Sequence, residues 1–315
     1  MSVPHPVELP LTASVVVRAK NKQATIERTL RAVRAQTVHA QLIVVDSGST
    51  DRTLEIARAY DAEIIETPPA EFSYGRALNI GAEHAHGDIV FALSAHSAPQ
   101  GDQWIEWSLE AYQDPAVACT LGHLEGPDRQ ALAGPTAVFA ADLDLKHNVT
   151  WGMSNHASSW RRSVWESFRF NEQMIACEDK EWMWRVLADG YSMVVDPRLD
   201  VDLQHRWAQG VKALYVRTFR EWATLAEFVD FDVAPPLRAA ARWWSDFPYP
   251  SNHPRWQRRL NPKRSAELVG EYLGVRAGAR RRRRRAVHLP VGNMVSLASL
   301  GDGQETSMAA GAPPQ

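Results

Sequence analysis

Ser14-Val15-Val16-Val17-Arg18 decides the fold of this 315-residue chain, together with Leu42-Ile43-Val44-Val45 further along. Both are short apolar, β-branched runs that predict buried strands. Between them Ile26, Leu30 and Val33 recur at helical spacing, which predicts a crossover helix. A strand, a helix and a second strand in this order are typical of a parallel sheet with helices on both faces.

The same alternation extends outward from these two strands. We predict further strands and helices from apolar periodicity and from turn residues. The predicted strands are Glu63–Glu66, Asp88–Leu93, Val117–Leu121 and Ser192–Val195, and the predicted helices are 76–83, Glu178–Ala188 and 209–228. The chain is therefore expected to be an α/β protein with a mostly parallel central sheet and a helical extension after Pro235-Pro236.

The composition is that of an ordinary globular protein, with 45% hydrophobic and 23% charged residues and a net charge of −2. Two distant cysteines, Cys119 and Cys177, exclude a disulfide framework and a cysteine zinc site. No signal peptide or membrane span is predicted, so we expect a cytoplasmic protein. The Walker phosphate loop, the dinucleotide-binding glycine motif, the H-E-x-x-H motif and the G-x-S-x-G motif are all missing from the sequence.

Polar clusters follow three of the predicted strands. They are Arg18-Ala19-Lys20-Asn21, Asp46-Ser47-Gly48-Ser49 and Ser94-Ala95-His96. Ligands of open α/β sheets bind at the carboxyl ends of the strands, so we expect these clusters to form one site. Arginine can neutralise a diphosphate there, and an aspartate can accept hydrogen bonds from a base or ribose. The alternative is that Asp46 and Ser49 only shape a turn and cap a helix.

Five ordered motifs resemble those of family 2 glycosyltransferases with the GT-A fold, in the rhamnosyltransferase-like branch. They are 14–21, 45–51, 72–81, 154–162 and 177–182, so the resemblance covers about residues 14 to 230. It implies an inverting enzyme that transfers a sugar from a nucleoside diphosphate to an acceptor hydroxyl, in glycan or secondary-metabolite synthesis. A 6-deoxyhexose such as rhamnose is the sugar that the branch suggests, and no organic cofactor is implied.

The resemblance also implies roles for individual residues. Asp179 becomes the catalytic base, because an inverting displacement needs one carboxylate beside the acceptor oxygen. The acceptor side would be formed by Trp151, Asn155, Trp160 and Glu178, and the donor side by Arg18, Asn21, Asp46, Ser47, Gly48, Arg76 and Ser94. The opposing interpretation is that Glu178 and Asp179 merely offset a helix dipole, and both interpretations can hold together.

The expected metal site departs from the family pattern. Ser94-Ala95-His96 stands where relatives usually carry acidic ligands for Mg²⁺ or Mn²⁺. His205 resembles the late histidine ligand of the family, so His96 and His205 would form a two-histidine site for a divalent cation. Imidazole suits Mn²⁺ better than it suits Mg²⁺. In the alternative, His96 contacts the diphosphate directly and no metal is needed.

The C-terminal part has a different charge from the rest of the chain. Residues 238–285 hold fourteen basic and three acidic side chains, including Arg280–Arg285. Three interpretations stay open: an anionic membrane surface, a homodimer or intramolecular helix contact, and, least favoured, nucleic acid. The first would make the protein peripheral on the inner face of the membrane and bring it to a lipid-linked acceptor.

We therefore divide the chain into a GT-A domain at 1–235, a basic aromatic helical extension at 236–285 and a disordered tail at 286–315. Within the domain, 14–107 would bind the nucleotide sugar and 108–235 would carry the acceptor and catalytic side. The acceptor is either a lipid-linked glycan or a small molecule. The competing hypothesis is a sugar-nucleotide-binding or scaffold protein without catalysis, whose metal site has degenerated.

Overall fold

The computed structural model describes residues 10–122, 134–143, 151–203, 210–229 and 262–286. These residues form an eight-stranded mixed sheet, a two-stranded ribbon beside it, and helices on both faces of the sheet.

The strands, in chain order, are β1 (Ala13–Ala19), β2 (Gln41–Asp46), β3 (Glu63–Glu66), β4 (Ile89–Ser94), β5 (Ser97–Pro99), β6 (Val117–Leu121), β7 (Thr136–Val138), β8 (Ser158–Arg161), β9 (Ser192–Val195) and β10 (Val201–Leu203). The helices are α1 (Ile26–Arg34), α2 (Thr53–Ala59), α3 (Tyr74–His84), α4 (Trp104–Ala111), α5 (Arg162–Ser167), α6 (Glu178–Ala188), α7 (Val211–Phe228) and α8 (Pro262–Ala286).

The strand order of the main sheet is β3-β2-β1-β4-β8-β6-β9-β7. The first four strands are parallel to one another, β8 lies antiparallel between β4 and β6, and β5 pairs with β10 in the ribbon. The chain leaves β1 towards β2 but returns through α3 to β4 on the other side of β1. The order reverses there, and such a switch point opens a crevice at the carboxyl ends of the strands.

Alternating side chains of the buried strands form two hydrophobic clusters, one on each face of the sheet. Val16 of β1 packs into the cluster under α3 and α6, whereas Val15 and Val17 pack into the cluster under α1 and α4. Both faces of β1 are therefore shielded from solvent, as expected for a central parallel strand. This rigid strand carries Arg18 to the crevice.

Helix α8 packs along α7 through glycines spaced four residues apart. A Cβ atom at Gly274 would lie 2.6 Å from the Phe219 carbonyl oxygen, and one at Gly278 would lie 2.3 Å from the Ala223 carbonyl oxygen. Because the glycines have no side chain, the two backbones approach closely. The described part of the extension is thus a helix docked on the body of the protein.

The predicted α/β fold is confirmed, and the predicted bounds of α6 and β9 agree with the structure. Two local expectations differ. Part of the motif at 154–162 is strand β8, and the arginine run Arg280–Arg285 lies within one helix that continues to Ala286. Residues 236–261 and the tail from 287 onward lie outside the described residues.

Candidate active site

The carboxyl ends of β1, β2 and β4 bring three predicted donor residues into one row. Arg18 is aligned with Ser94 of β4, and the next residue of β1, Ala19, is aligned with Asp46 of β2. Arg18 is nearly buried, with a side chain 13% exposed, while Ser94 is half-buried. The expectation that these strand ends meet is therefore met in the register of the sheet.

Asp46 is fully buried and holds the turn that follows β2. Its Oδ2 atom accepts hydrogen bonds from the main-chain N–H groups of Gly48 (2.9 Å) and Ser49 (2.7 Å). Gly48 has φ +85°, a conformation that favours glycine, and a Cβ there would lie 2.6 Å from Pro69 Cγ. The turn-shaping interpretation of Asp46 therefore holds in this structure. Ser47, also buried, donates its main-chain N–H to the Ala19 carbonyl.

Asn21 connects the loops that follow β1 and β2. Its Oδ1 accepts the Thr50 main-chain N–H at 2.8 Å, and its own N–H donates to Ser49 Oγ at 2.8 Å. Arg76 lies in the first turn of α3, half exposed, and pairs with Glu71 at 2.7 Å and with Glu172 at 3.5 Å. Its guanidinium therefore already has two carboxylate partners.

The start of α6 carries a buried pair of carboxylates opposite β1. Glu178 Oε1 lies 3.5 Å from Arg18 Nη1, and Asp179 is 9% exposed. Cys177, directly before the helix, has φ +61° in the left-handed region. Strained backbone of this kind concentrates at functional sites. The tertiary fold thus joins the carboxyl end of β1 to Glu178, 160 positions later in the sequence.

Asn155 contacts both carboxylates of the pair. Its side chain donates to Glu178 Oε1 at 2.7 Å, and its main-chain N–H donates to Asp179 Oδ2 at 3.2 Å. Lys180 anchors the same loop, because its Nζ atom donates to the Met153 carbonyl at 3.0 Å. The orientation of the two carboxylates is therefore set by the loop before β8.

Burial and the neighbouring Asp179 carboxylate raise the pKa of Glu178 to about 7, although Arg18 acts in the opposite direction. Two adjacent buried carboxylates repel each other when both are charged. Glu178 is therefore substantially protonated at neutral pH. A buried carboxyl group with a raised pKa is typical of active sites.

His96 lies half-buried after β4, among positive charges. Burial first, and then Lys22, Arg217, Arg18 and Arg28, lower the pKa of His96 to about 4. The imidazole is thus neutral at physiological pH. Arg28 approaches closely enough to place its Nη2 atom 3.5 Å from the His96 carbonyl oxygen.

The sequence of this region is similar to a known protein family. Residues 14–157 match the model of glycosyl transferase family 2. The chain is thus similar to this family over somewhat less than half of its length. The match runs from β1 through β7 to the loop before β8, so the row of strand ends and Asn155 lie within it.

Two curated relatives support this similarity. The chain is 30% identical over 181 residues to an O-antigen chain rhamnosyltransferase, WbaN, of Salmonella anatum, with 53% of this chain and 58% of the relative covered. It is 34% identical over 195 residues to the glycosyltransferase AglE of Haloferax volcanii, with 57% of this chain and 62% of the relative covered. The chain thus spans about three fifths of the length of these relatives.

The GT-A fold is supported by similarity to a solved structure. A mannosyltransferase of Pyrobaculum calidifontis, PcManGT, solved with GDP-Man and Mn²⁺, has a TM-score of 0.55 and 17% identity, with 93% of this chain and 79% of that chain covered. The expected fold class is confirmed by this similarity. No helix within the described residues is long and apolar enough to cross a membrane.

The described residues do not complete a metal site. They contain no group of three or more histidine, cysteine, aspartate or glutamate side chains suited to hold an ion. His96 offers a neutral imidazole, but Asp202 on the adjacent ribbon already pairs with Arg28. The second expected ligand, His205, lies outside the described residues. One imidazole is not a sufficient donor set for a hard divalent ion.

The expected acceptor role of Trp160 is corrected by the structure. Trp160 lies on β8 with 0% exposure, enclosed by core residues that include Phe170, whose ring centroid is 5.1 Å away. A side chain without a solvent-facing surface cannot stack on a sugar, so Trp160 serves packing. Trp151 is half-buried and packs at the edge of the same hydrophobic cluster.

The sequence did not indicate three further residues of the site. The Tyr74 ring lies under the guanidinium groups of Arg18 and Arg220, with distances of 5.2 and 5.6 Å from guanidinium carbon to ring centroid. The positive charge of Arg217, three residues before Arg220 on α7, helps to lower the pKa of His96. The only available signal was the i, i+3 spacing of these arginines, which places them on one helix face.

Proposed function

We propose that the protein is an inverting glycosyltransferase that moves a sugar from a nucleoside diphosphate to an acceptor hydroxyl, with Asp179 as the base. One observation carries the proposal: Glu178, buried beside Asp179, lies 3.5 Å from Arg18 at the switch point of the sheet. The pair thereby adjoins the crevice in which open α/β sheets bind their ligands.

The chemistry requires one proton acceptor and a stabilised leaving group. The acceptor oxygen bonds to the anomeric carbon, the bond from that carbon to the diphosphate oxygen breaks, and the hydroxyl proton passes to Asp179. The nucleoside diphosphate leaves with the electron pair. Arg18, fixed between Tyr74 and Glu178, is placed to stabilise the negative charge that develops on the leaving group.

Glu178 supports this division of roles. Its raised pKa favours a protonated Glu178, because burial and the neighbouring Asp179 carboxylate disfavour the charged form of Glu178. A protonated Glu178 can donate a hydrogen bond to the acceptor, while Asp179 keeps the lone pair that a base needs.

The substrate part of the proposal rests on similarity. We propose a 6-deoxyhexose such as rhamnose as the sugar, because an O-antigen chain rhamnosyltransferase is among the relatives. The acceptor would be a lipid-linked glycan or a small molecule. Asn155 and Glu178 would contact it, together with Trp151 at the edge of the site, whereas Asn21, Ser47, Gly48, Arg76 and Ser94 would shape or contact the donor pocket.

A divalent cation is a further part of the proposal. His96 and His205 would hold it, and Mn²⁺ fits better than Mg²⁺ because the ligands are imidazoles. The neutral state of His96 and the Mn²⁺ in the mannosyltransferase complex support this choice. The ion would neutralise part of the diphosphate charge. If binding of Mn²⁺ measured by calorimetry is unchanged in His96→Ala, this assignment is wrong.

The C-terminal helix supports a peripheral location at the inner face of an anionic membrane. On α8, the basic Arg280 and Arg283 are exposed, and so are the apolar Val269 and Leu273. Basic residues near an anionic surface each contribute about 1 kcal/mol. Sedimentation with vesicles containing phosphatidylglycerol tests this location, and the same preparation analysed by light scattering tests the homodimer.

The proposed activity is tested by Asp179→Asn, assayed for sugar transfer with a panel of nucleotide sugars and hydroxyl acceptors. We expect turnover to fall by a factor on the order of 10³ or more, since base catalysis typically contributes 10²–10⁴. The matched control is Asp189→Asn, an exposed aspartate at the end of the same helix. If Asp179→Asn turns over like the control, Asp179 is not the base, and a protein that only binds sugar nucleotides becomes the better interpretation.

A further inference from the structure

Four positively charged side chains from separate elements act electrostatically on His96. Arg18 belongs to β1, Lys22 to the loop after it, Arg28 to α1 and Arg217 to α7, and each acts electrostatically on the imidazole. Like charges that converge on one half-buried position repel each other unless an anion balances them. Three of them have carboxylate partners: Arg18 with Glu178, Arg28 with Asp202 and Arg217 with Glu221.

The carboxylate partners balance these charges only in part. Glu178 has a pKa of about 7 and is therefore substantially protonated at neutral pH. Lys22 forms no ion pair within the described residues. Lys22, and Arg18 whenever Glu178 is protonated, consequently have no ionised carboxylate partner within the described residues near the carboxyl ends of β1 and β4.

Helix α7 adds a second arginine beside Arg18. The guanidinium groups of Arg18 and Arg220 share the ring of Tyr74 at 5.2 and 5.6 Å. The Nε atoms of both arginines are buried and have no hydrogen-bond partner in the structure. Buried donors normally find a partner, so unpartnered guanidinium donors beside a crevice indicate a site for an acceptor-rich ligand.

We infer that Arg217 and Arg220 of α7 complete, with Arg18, an anion-binding site for a diphosphate group. The paired N–H donors of a guanidinium group match phosphate oxygens. The Tyr74 ring packs against the guanidinium groups of Arg18 and Arg220 and so fixes their positions. The two arginines lie on one face of α7, and Arg220 shares the Tyr74 ring with Arg18.

The inference deepens the proposed function and rests on it for the identity of the ligand. The diphosphate belongs either to the nucleotide-sugar donor or to a lipid-linked acceptor, since both present the same group. Calorimetric titration separates these sources. The probes are UDP, GDP and dTDP, the corresponding nucleoside monophosphates, and farnesyl diphosphate, each with Mn²⁺ and with chelator.

The variant to be compared is the double substitution Arg217→Gln and Arg220→Gln. Its control is Lys212→Gln, which removes an exposed charge from the same helix away from the crevice. Melting followed by circular dichroism shows that each variant folds. If the double variant unfolds, Arg220→Lys is used in its place, because lysine keeps the positive charge but lacks the planar guanidinium group.

We expect the dissociation constant of the preferred nucleoside diphosphate to rise about ten- to one-hundred-fold in the double variant, as for the loss of charged hydrogen bonds. The monophosphate is affected less, and Lys212→Gln binds like the unsubstituted chain. With Arg220→Lys the dissociation constant rises by a smaller factor. These shifts persist with chelator, because the arginines act without a metal.

Two results would overturn the inference. If the double variant binds the nucleoside diphosphate and farnesyl diphosphate as tightly as the unsubstituted chain, the arginines are not ligands, although the proposed transferase keeps its donor. If the unsubstituted chain binds none of these probes, both proposals fail. Arginine-dependent binding of farnesyl diphosphate alone supports the anion site, assigns it to the acceptor and removes the donor part of the proposed function.

Discussion

Asn155 donates a hydrogen bond of 2.7 Å from its side-chain amide to Oε1 of Glu178. The same residue donates its main-chain N–H to Asp179, so one loop position contacts both members of the buried pair. The Asn155 side chain has another feature, because its Oδ1 atom is buried without a partner. An acceptor hydroxyl bound at the pair would supply the missing donor.

The first prediction concerns Asn155→Ala. The substitution removes the bond to Glu178 and leaves the main-chain bond to Asp179 intact. We expect kcat to fall about ten-fold, because a buried group left without its hydrogen-bond partner costs about 1–3 kcal/mol. Steady-state kinetics of sugar transfer checks this expectation. A kcat within two-fold of that of the unsubstituted protein would show that the contact is not needed.

The second prediction concerns the pH dependence of stability. Burial and Asp179 raise the pKa of Glu178 from 4.5 to about 7, so the folded state binds this proton more strongly than the unfolded state does. The free energy of unfolding should therefore decrease as the pH rises from about 4.5 to about 7. Glu178→Gln cannot lose a proton, and denaturant titrations should show a weaker decrease over this range. An unchanged slope would mean that Glu178 titrates normally.

The third prediction separates packing from acceptor binding at Trp160. Trp160→Phe should lower the free energy of unfolding by roughly 1–3 kcal/mol, since it leaves a cavity in the core. It should leave the KM for the acceptor unchanged, because the ring has no exposed surface. Trp151→Phe is the comparison at the half-buried position. A change in acceptor KM for Trp160→Phe alone would restore its predicted acceptor role.

The fourth prediction tests the contact between α7 and α8. Glycine to alanine normally stabilises a helix by about 1 kcal/mol. Gly274→Ala should instead destabilise the protein, because its Cβ would lie 2.6 Å from the Phe219 carbonyl oxygen. Val269→Ala, at an exposed position of α8, should melt close to the unsubstituted protein. A higher melting temperature for Gly274→Ala would show that the two helices are not in close contact.

Much of the fold follows from local pattern. The apolar runs around Val16 and Val44 predict central strands because a strand covered on both faces needs apolar side chains on both. Gly190 follows the helix Glu178–Ala188, and because glycine commonly ends helices, the end of this helix was predicted correctly. Strand β8 was missed because Ser158 and Ser159 are polar, yet both are buried, and Ser159 accepts or donates hydrogen bonds with Ser108, Thr120 and Tyr112. Such a network exists only after distant segments have packed.

One part of the candidate site could be predicted from the sequence, and another part could not. Arg18, Asp46 and Ser94 were expected together because they end neighbouring strands, and the sheet register places them in one row. The approach of α7 to Tyr74 had no sequence signal. Arg220 lies 146 residues beyond Tyr74, and no periodicity relates positions so far apart.

The sequence by itself determined the strand and helix pattern, the family motifs and the chemical nature of the strand ends, since these depend on neighbouring residues and on the two periodicities of the backbone. The tertiary structure alone decided that Trp160 is core, that Asn155 contacts both carboxylates, and that α7 brings Arg217 and Arg220 to the crevice. Burial, raised pKa values and clustered charge arise from long-range packing, which places remote side chains in a shared environment of low polarity.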